Sequence, residues 1–244
     1  MEIKNAAILT VRNSSKRLPN KTIAEIKKNV SVIDIMIRRA KKTNFHVILA
    51  TSTDSSDDSI CEIAKKHKIE IFRGSLLNKI KRWNDCFELY AIENALLIDG
   101  DDLCYDFEIA KRAMDQLMRS DFDIISSPEN IITGLFTLAV TRNVIKKLYT
   151  LVPQNDTDTD LFTHYFQKIK LKISYVNLKE FEKNKNIRLT LDYEEDLDFF
   201  KKLYDSIDII EKGETIIKFL EQNKSIVDIN FGRQKDFLKN KGNT

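Results

Sequence analysis

The sequence predicts an α/β fold built on a mostly parallel sheet, and two observations carry that expectation. Short apolar runs of the buried-strand kind, at 6–11, 47–50, 69–72 and 95–98, alternate with helical patterns. Alternation with helices of about 10 to 15 residues is the mark of βαβ units. The second observation is continuity. The 244 residues include only six glycines and three prolines, with no low-complexity linker and no internal repeat. One domain spanning 1–244 is therefore expected, long enough to bury a sizeable core.

The first strand reads Ala6 to Val11 and breaks into a polar loop carrying Arg12, Lys16, Arg17 and Lys21. Ser14, Ser15 and Asn20 supply short side chains that tolerate a tight turn. Cations and free backbone N–H groups at the carboxyl edge of a sheet are where polyphosphates bind. Charge alone allows a basic surface turn as well. A helix follows from Ile33 to Lys42, with Ile33, Ile37 and Ala40 on one face. The strand at 47–50 ends in Thr51-Ser52-Thr53-Asp54. Ser56 then reads as the N-cap of a helix through Lys66, with Asp57 and Asp58 suited to the positive end of its dipole.

After the strand at 69–72, Trp83 reads as a core or interface aromatic and Arg82 as a solvated helix residue. The strand at 95–98 ends in Asp99-Gly100-Asp101-Asp102. Carboxylates packed this closely repel unless a cation or donors offset them. An acidic turn before a helix at Phe107 to Arg119 and a Mg²⁺ site are both compatible with it. Strands at 123–126 and 136–140 and a helix near 144–151 come next. The acidic stretch 152–160 lacks the glycine and distal glutamate of an EF-hand, so it reads as a solvated loop with an N-cap for a helix at 161–169. From Ile187 the pattern is a strand, Leu189 and Leu191 on one face, Thr190 and Asp192 on the other. Glu194, Glu195 and Asp196 fall in the first turn of a helix through Tyr204, where acids are favoured. The remainder reads as one helix, Glu214 to Gln222, and a loose basic tail.

Composition narrows the function classes. A formal net charge of +3 with 32% charged residues suits a balanced surface with local basic patches, against a nucleic-acid binder. No apolar run approaches the roughly 18 residues of a membrane helix. Met-Glu-Ile-Lys directly before the first strand leaves no room for a signal peptide. Cys61, Cys86 and Cys104, odd in number and without a Cys-x-x-Cys pair, suit reduced thiols in a cytoplasmic protein. His46, His67 and His164 have no metal-ligand spacing, which disfavours a zinc site. The first strand is not followed by Gly-x-Gly-x-x-Gly, and no Gly-x-x-x-x-Gly-Lys-Ser/Thr occurs, so a dehydrogenase and a P-loop NTPase are disfavoured.

The order of residues adds a family. Arg12, Ser15, Arg17, Leu18, Pro19 and Lys21 form an Arg-x-x-Ser-x-Arg-Leu-Pro-x-Lys loop. It resembles the signature of the sugar-activating cytidylyltransferases, with Ser14 and Asn20 where glycines are usual. The acylneuraminate and ketodeoxyoctulosonate cytidylyltransferases and the spore-coat polysaccharide protein F group belong there. Ala50 to Asp54 with Asp57-Asp58, and Phe72-Arg73-Gly74-Ser75 with Asn78, Ile80, Arg82 and Trp83, resemble the spore-coat group most, with Asn78 for Asp, Lys79 for Val and Trp83 for Tyr. Gly100-Asp101 resembles the metal-bearing Gly-Asp pair, here followed by Leu103-Cys104 in place of Pro-Leu. Arg188-Leu189-Thr190-Leu191-Asp192 with Glu195-Asp196-Leu197 resembles the Arg-x-Thr-Leu-Asp-x-x-Glu-Asp-Leu block.

This resemblance implies a three-layer, Rossmann-like, mostly parallel sheet of the nucleotide-diphospho-sugar transferase (glycosyltransferase A-like) type. It implies transfer of CMP from CTP to an acidic or modified sugar, with pyrophosphate released, for surface polysaccharide or glycan synthesis. Arg12, Lys21, Asp101 and Asp192 would be catalytic, with Mg²⁺ held by Asp101 and Asp192. Thr10, Val11, Arg12, Ser14, Ser15, Lys21, Thr51, Arg73, Ser75 and Arg82 would bind the nucleotide. The 124–186 region would carry the acceptor site and the contacts of a homodimer, with no nucleic-acid or membrane partner. A uridylyl or guanylyl transferase on the same fold, and a non-catalytic nucleotide-binding relative, are the alternatives.

Overall fold

The computed structural model describes residues 3–13, 17–183 and 186–242, with side chains described up to Gln234 in the last helix. Its centre is a seven-stranded sheet in the order β5-β4-β1-β6-β8-β7-β9. The strands are β1 (Asn5–Thr10), β4 (His46–Ser52), β5 (Glu70–Gly74), β6 (Asn94–Asp99), β7 (Ile124–Ser126), β8 (Leu138–Thr141) and β9 (Ile173–Tyr175). β1 pairs parallel with both β4 and β6, and β4 parallel with β5. β8 runs antiparallel to β6 and β7, while β7 and β9 are parallel. A hairpin, β2 (Glu25–Lys27) with β3 (Val30–Ser31), stands apart and turns through Asn29 at φ 61°.

The central parallel strands β1, β4 and β6 are apolar on both faces because both faces are covered. Along β1, Ala7 and Leu9 pack into one buried cluster and Ala6 and Ile8 into the other. The first cluster lies under α1 (Val32–Lys41), α2 (Asp58–Lys66), α4 (Phe107–Met118), α6 (Glu194–Ser206) and α7 (Gly213–Gln222). The second lies under α3 (Lys79–Leu89) and α5 (Arg142–Leu151). α8 (Lys224–Gly242) closes the chain and packs on α6.

Several expectations change in the structure. Ser56 is not the N-cap of α2. It lies in a 3-10 turn, Ser55–Asp57, capped by Asp54, whose carboxylate accepts from the Ser56 N–H. Asp57 is turned inward instead, accepting from Asn13 N at 2.7 Å and Thr51 Oγ1 at 2.8 Å, which ties the loop after β1 to the end of β4. The helix expected at 161–169 is a 3-10 stretch, Phe162–Lys168, and Asp160 pairs elsewhere rather than capping it. The strand expected from Ile187 is reduced to a single bridge between Thr133 and Arg188. Leu189 and Leu191 are fully buried there, and their N–H groups donate to the Thr133 and Asp101 carbonyls at 2.9 and 2.8 Å, one on each side, rather than to a single neighbouring strand. The loose tail is α8 as far as Gly242. Arg82 is not solvated but 1% exposed, and Trp83 is a core residue whose Nε1–H donates to Thr10 Oγ1 at 2.8 Å.

Candidate active site

β1 leads to β4 on one side and β6 stands on the other, so the strand order reverses between β1 and β6. In open α/β sheets ligands bind in the crevice at that switch point, beyond the carboxyl ends of the strands. A cleft of about 1100 Å³ opens there, bounded by Thr10 and Val11 from β1 and by Asp99 to Asp102 from β6. The two strand exits approach closely. A Cβ on Gly100 would lie 2.5 Å from Val11 Cγ2, so this turn requires glycine.

The loop after β1 returns through Asn20, which holds φ 58°, the left-handed region that glycine enters freely and asparagine tolerates. That path delivers Lys21, whose ammonium donates to Asp101 Oδ2 at 3.0 Å, Asp192 Oδ1 at 3.3 Å and the Leu191 carbonyl at 2.7 Å. Asp101 and Asp192 thus meet on one cation. What joins their segments is a backbone bond, Leu191 N–H to the Asp101 carbonyl at 2.8 Å. Gly134 braces the same strap. At φ 92° its position would put a Cβ 2.2 Å from the Leu189 carbonyl oxygen.

Further cations complete the rim. Arg17 pairs with Asp192 Oδ1 at 2.7 Å and lies over the Tyr193 ring. Arg12 donates to the Leu76 carbonyl at 2.6 Å and pairs with Asp160. Lys79 pairs with Asp99 at 2.6 Å and is flanked by the Trp83 and Phe162 rings at 5.1 and 4.9 Å. Arg82 donates to the Ser75 carbonyl at 2.8 Å. Burial, with the nearby Arg12 charge, draws its guanidinium down to about 10.

Electrostatics show where the site has negative charge to spare. Burial pulls the Lys21 ammonium down, but Asp101 and Asp192 outweigh it and hold it above its ordinary value. Burial pushes Asp101 up, and Lys21 and then Lys79 more than reverse that, so its carboxyl lies below the usual range. Asp102, 8% exposed, is raised well above it by burial and by the Asp101 and Asp99 charges. A folded-state value above the unfolded one means folding favours the protonated form. Stability from this group is full below the unfolded value and lost as pH rises through the folded one. Asp102→Asn is therefore expected to melt higher than wild type at neutral pH without nucleotide. The gain should shrink as pH falls and vanish below about 4, where the wild-type carboxyl becomes neutral in both states. Thermal melts across that range check it; a pH-independent difference would contradict it.

Not every expected nucleotide contact reaches the cleft. Thr10, Val11, Arg12, Lys21, Arg82, Asp101 and Asp192 line it, whereas Thr51, Arg73 and Ser75 do not. Thr51 serves Asp57, and Arg73 binds Asp58 and the Ser52 and Asp54 carbonyls on the outer side of β4 and β5. Ser75 holds Asn155 and the Asn78 N–H. Ser14 and Ser15 lie outside the described residues. Sequence reasoning missed Lys79, Asp160 and Gln234, which also line the cleft. For Lys79 the signal was its charge at a position where relatives carry valine.

No group of three or more His, Cys, Asp or Glu side chains is placed to hold a metal among the described residues. The two carboxylates that meet on Lys21 nevertheless fit a hard ion of the Mg²⁺ type. Mg²⁺ is held through one or two carboxylates with substrate phosphates completing the set.

Comparison with known proteins fits this geometry. The cytidylyltransferase family model matches residues 6–229. An uncharacterized protein of Methanocaldococcus jannaschii, MJ1063, is 27% identical over 240 residues, covering 96% of this chain and 98% of its own. Among solved structures, a cytidylyltransferase from Leptospira borgpetersenii superposes with a TM-score of 0.82 at 22% identity, covering 93% of this chain and 97% of that one. CMP:2-keto-3-deoxy-manno-octonic acid synthetase, solved with CTP, superposes with a TM-score of 0.60 at 12% identity over 83% of this chain and 99% of that one. The architecture is the three-layer, mostly parallel sheet of the nucleotide-diphospho-sugar transferase type.

Proposed function

This chain belongs to the cytidylyltransferase family and is a CTP-dependent nucleotidyltransferase, and from that premise we propose that it transfers CMP to a sugar hydroxyl in surface polysaccharide or glycan synthesis. The observation that carries the reading is the meeting of Asp101 and Asp192 on Lys21 at the switch point, beside Arg12.

The acceptor oxygen attacks the α-phosphorus in line and loses its proton. The bond from that phosphorus to the oxygen bridging it to the β-phosphorus breaks, and pyrophosphate leaves with the electron pair. Positioning and electrostatic stabilisation supply most of the acceleration in transfers of this type. Arg12 offers the triphosphate a planar fork and Lys21 a point charge. The Gly100 turn lets the exits of β1 and β6 close on one another, and Ser14 and Ser15 would add loop N–H donors. Asp101 and Asp192 would hold Mg²⁺, which when bound offsets the charge of the phosphates.

Residues of the 124–186 region line the side of the cleft beyond β6, which favours it as the acceptor side. Dimer contacts from the same region, and a cytoplasmic homodimer, complete the reading. Among the described residues no helix is long and apolar enough to cross a membrane. The family match favours CTP over the uridylyl and guanylyl alternatives. Pyrophosphate release tests the proposal. With Mg²⁺ and a sugar panel, release is expected to depend on the acceptor and to be about tenfold or more faster with CTP than with UTP or GTP. Equal rates with all three nucleotides would remove the base preference. Release that never depends on an acceptor would remove the transfer.

A further inference from the structure

The cleft has two unlike halves. Among the described residues, every lysine and arginine that lines it comes from the first 82 positions, on the side of the β1 and β6 exits. Across β6, the lining from Ser127 to Thr137 holds hydroxyls and apolar groups, with Glu129 as its one charge. This wall is fixed rather than loose. Ser127 N–H donates to the Thr137 carbonyl at 3.1 Å, and Leu189 N–H to the Thr133 carbonyl at 2.9 Å.

Gln234 completes the wall from α8. It is 4% exposed, lines the cleft and donates from Nε2 to Thr133 Oγ1 at 3.1 Å. Its Oε1 is buried and has no hydrogen-bond partner among the described residues. A buried carboxamide oxygen left unpaired costs about 1–3 kcal/mol in general, so one carried by a side chain that lines a cleft is a candidate partner for a ligand donor once that side chain turns towards it.

We infer that Gln234 and the Ser127–Thr137 wall form the acceptor subsite, and that the part of the acceptor remote from the attacking oxygen carries hydroxyl or amino donors and no acid group. Gln234 Oε1 accepts from one of those donors. Glu129, at the rim, favours an amine and opposes a carboxylate or phosphate. The inference rests on the transfer reading above and narrows the acidic or modified sugar that the resemblance implies. An acid group there would meet Glu129 and Oε1, with no cation among the described residues of that wall to pair with.

The experiment uses glucose, glucosamine and glucuronic acid, each free and as its 1-phosphate, with the full chain, CTP and Mg²⁺. The neutral and amino members are expected to release pyrophosphate with kcat/KM about tenfold or more above the matched acid, since a site without a counter-charge discriminates by at least one such interaction. Gln234→Ala should raise KM for the favoured acceptor about tenfold while KM for CTP stays put, the size of one lost hydrogen bond in a closed site. Gln234→Glu, which keeps an accepting oxygen, should retain the neutral acceptors and penalise the acid further. A preference for glucuronic acid, or an unchanged acceptor KM in Gln234→Ala, overturns the inference. If no member reacts, ligand-observed NMR with CTP present decides. Binding of the neutral or amino members that Gln234→Ala weakens supports it, and binding of none overturns it. CTP binding that Lys21→Ala abolishes would still leave the nucleotide reading standing, so the two failures are distinguishable.

Discussion

Lys21→Ala is expected to lower turnover by about a hundredfold or more while leaving the fold intact, the scale of losing one oriented electrostatic group, about 3 kcal/mol. Lys21 is 13% exposed at its side chain and touches Asp101, Asp192 and the Leu191 carbonyl together. Without it, two carboxylates face one another and the triphosphate would lose the point charge proposed for it. Asp192→Asn should fall comparably for a different reason, because it removes one of the two anions proposed for Mg²⁺. The sign of the Lys21 shift makes its charge robust. Burial opposes it, yet Asp101 and Asp192 hold it above the ordinary 10.5, so what the ammonium contributes is complete below that value and lost only as pH climbs beyond it. Pyrophosphate release at saturating CTP, Mg²⁺ and acceptor, beside a circular-dichroism melt, checks both variants. A folded Lys21→Ala enzyme with near-wild-type turnover would take the residue out of the mechanism.

The readable parts of the chain share a physical cause. β1, β4 and β6 announce themselves because a parallel strand covered on both faces is apolar almost throughout, as the runs at 6–11, 47–50 and 95–98 are, whereas β5 at the sheet edge carries Glu70 and Arg73 and is only partly buried. Lys21, Asp101 and Asp192 were legible as a set only through the order of residues around them, since no local spacing links them. Structure adds the link, the Leu191-to-Asp101 backbone bond. β2, β3 and β9, of two or three residues each, are too short to show a period.

The substitutions that looked like departures prove compensated. Asn78 stands where relatives carry aspartate. Its oxygen caps α3, and its Nδ2 donates to the Val152 and Gln154 carbonyls at 2.7 Å, which an aspartate cannot do. Lys79 arrives together with its counter-ion Asp99. What the sequence could not disclose was pairing across long separations. Asp160, in a stretch that reads as a solvated loop, holds Arg12, and Gln234 sat in a segment whose helical character has almost no amphipathic stripe to reveal it. Arg188 and Asp196 were visible as motif members, with no sign that both would be buried.

Asp196→Ala is expected to cost about 3–5 kcal/mol of stability, the penalty for leaving a buried ion without its counter-charge. Asp196 and Arg188 are both fully buried. Asp196 accepts from Arg188 Nε at 2.9 Å, from the Asp192 and Tyr193 N–H groups at 2.8 and 3.0 Å, and from Asn230 Nδ2 at 2.9 Å. One carboxylate therefore starts α6, docks α8 and fixes the backbone of Asp192. Helix-start electrostatics, worth about 0.3–1 kcal/mol, would explain only a small part of that loss. Asp192 Oδ2 remains 3.2 Å from Arg188 Nη2 in the variant's starting geometry, but that carboxylate already serves Lys21 and Arg17. Pulling it towards Arg188 would disturb the site, so turnover of the folded fraction should fall as well. Asp196→Asn keeps the shape and part of the accepting capacity and should lose less on both counts. Urea denaturation of the three proteins, with turnover measured well below each midpoint, separates the effects. An Asp196→Ala midpoint equal to wild type would mean that this ion network carries no weight in the fold, and Asp192 would then have to be held by the strap from Leu189 to Leu191 alone.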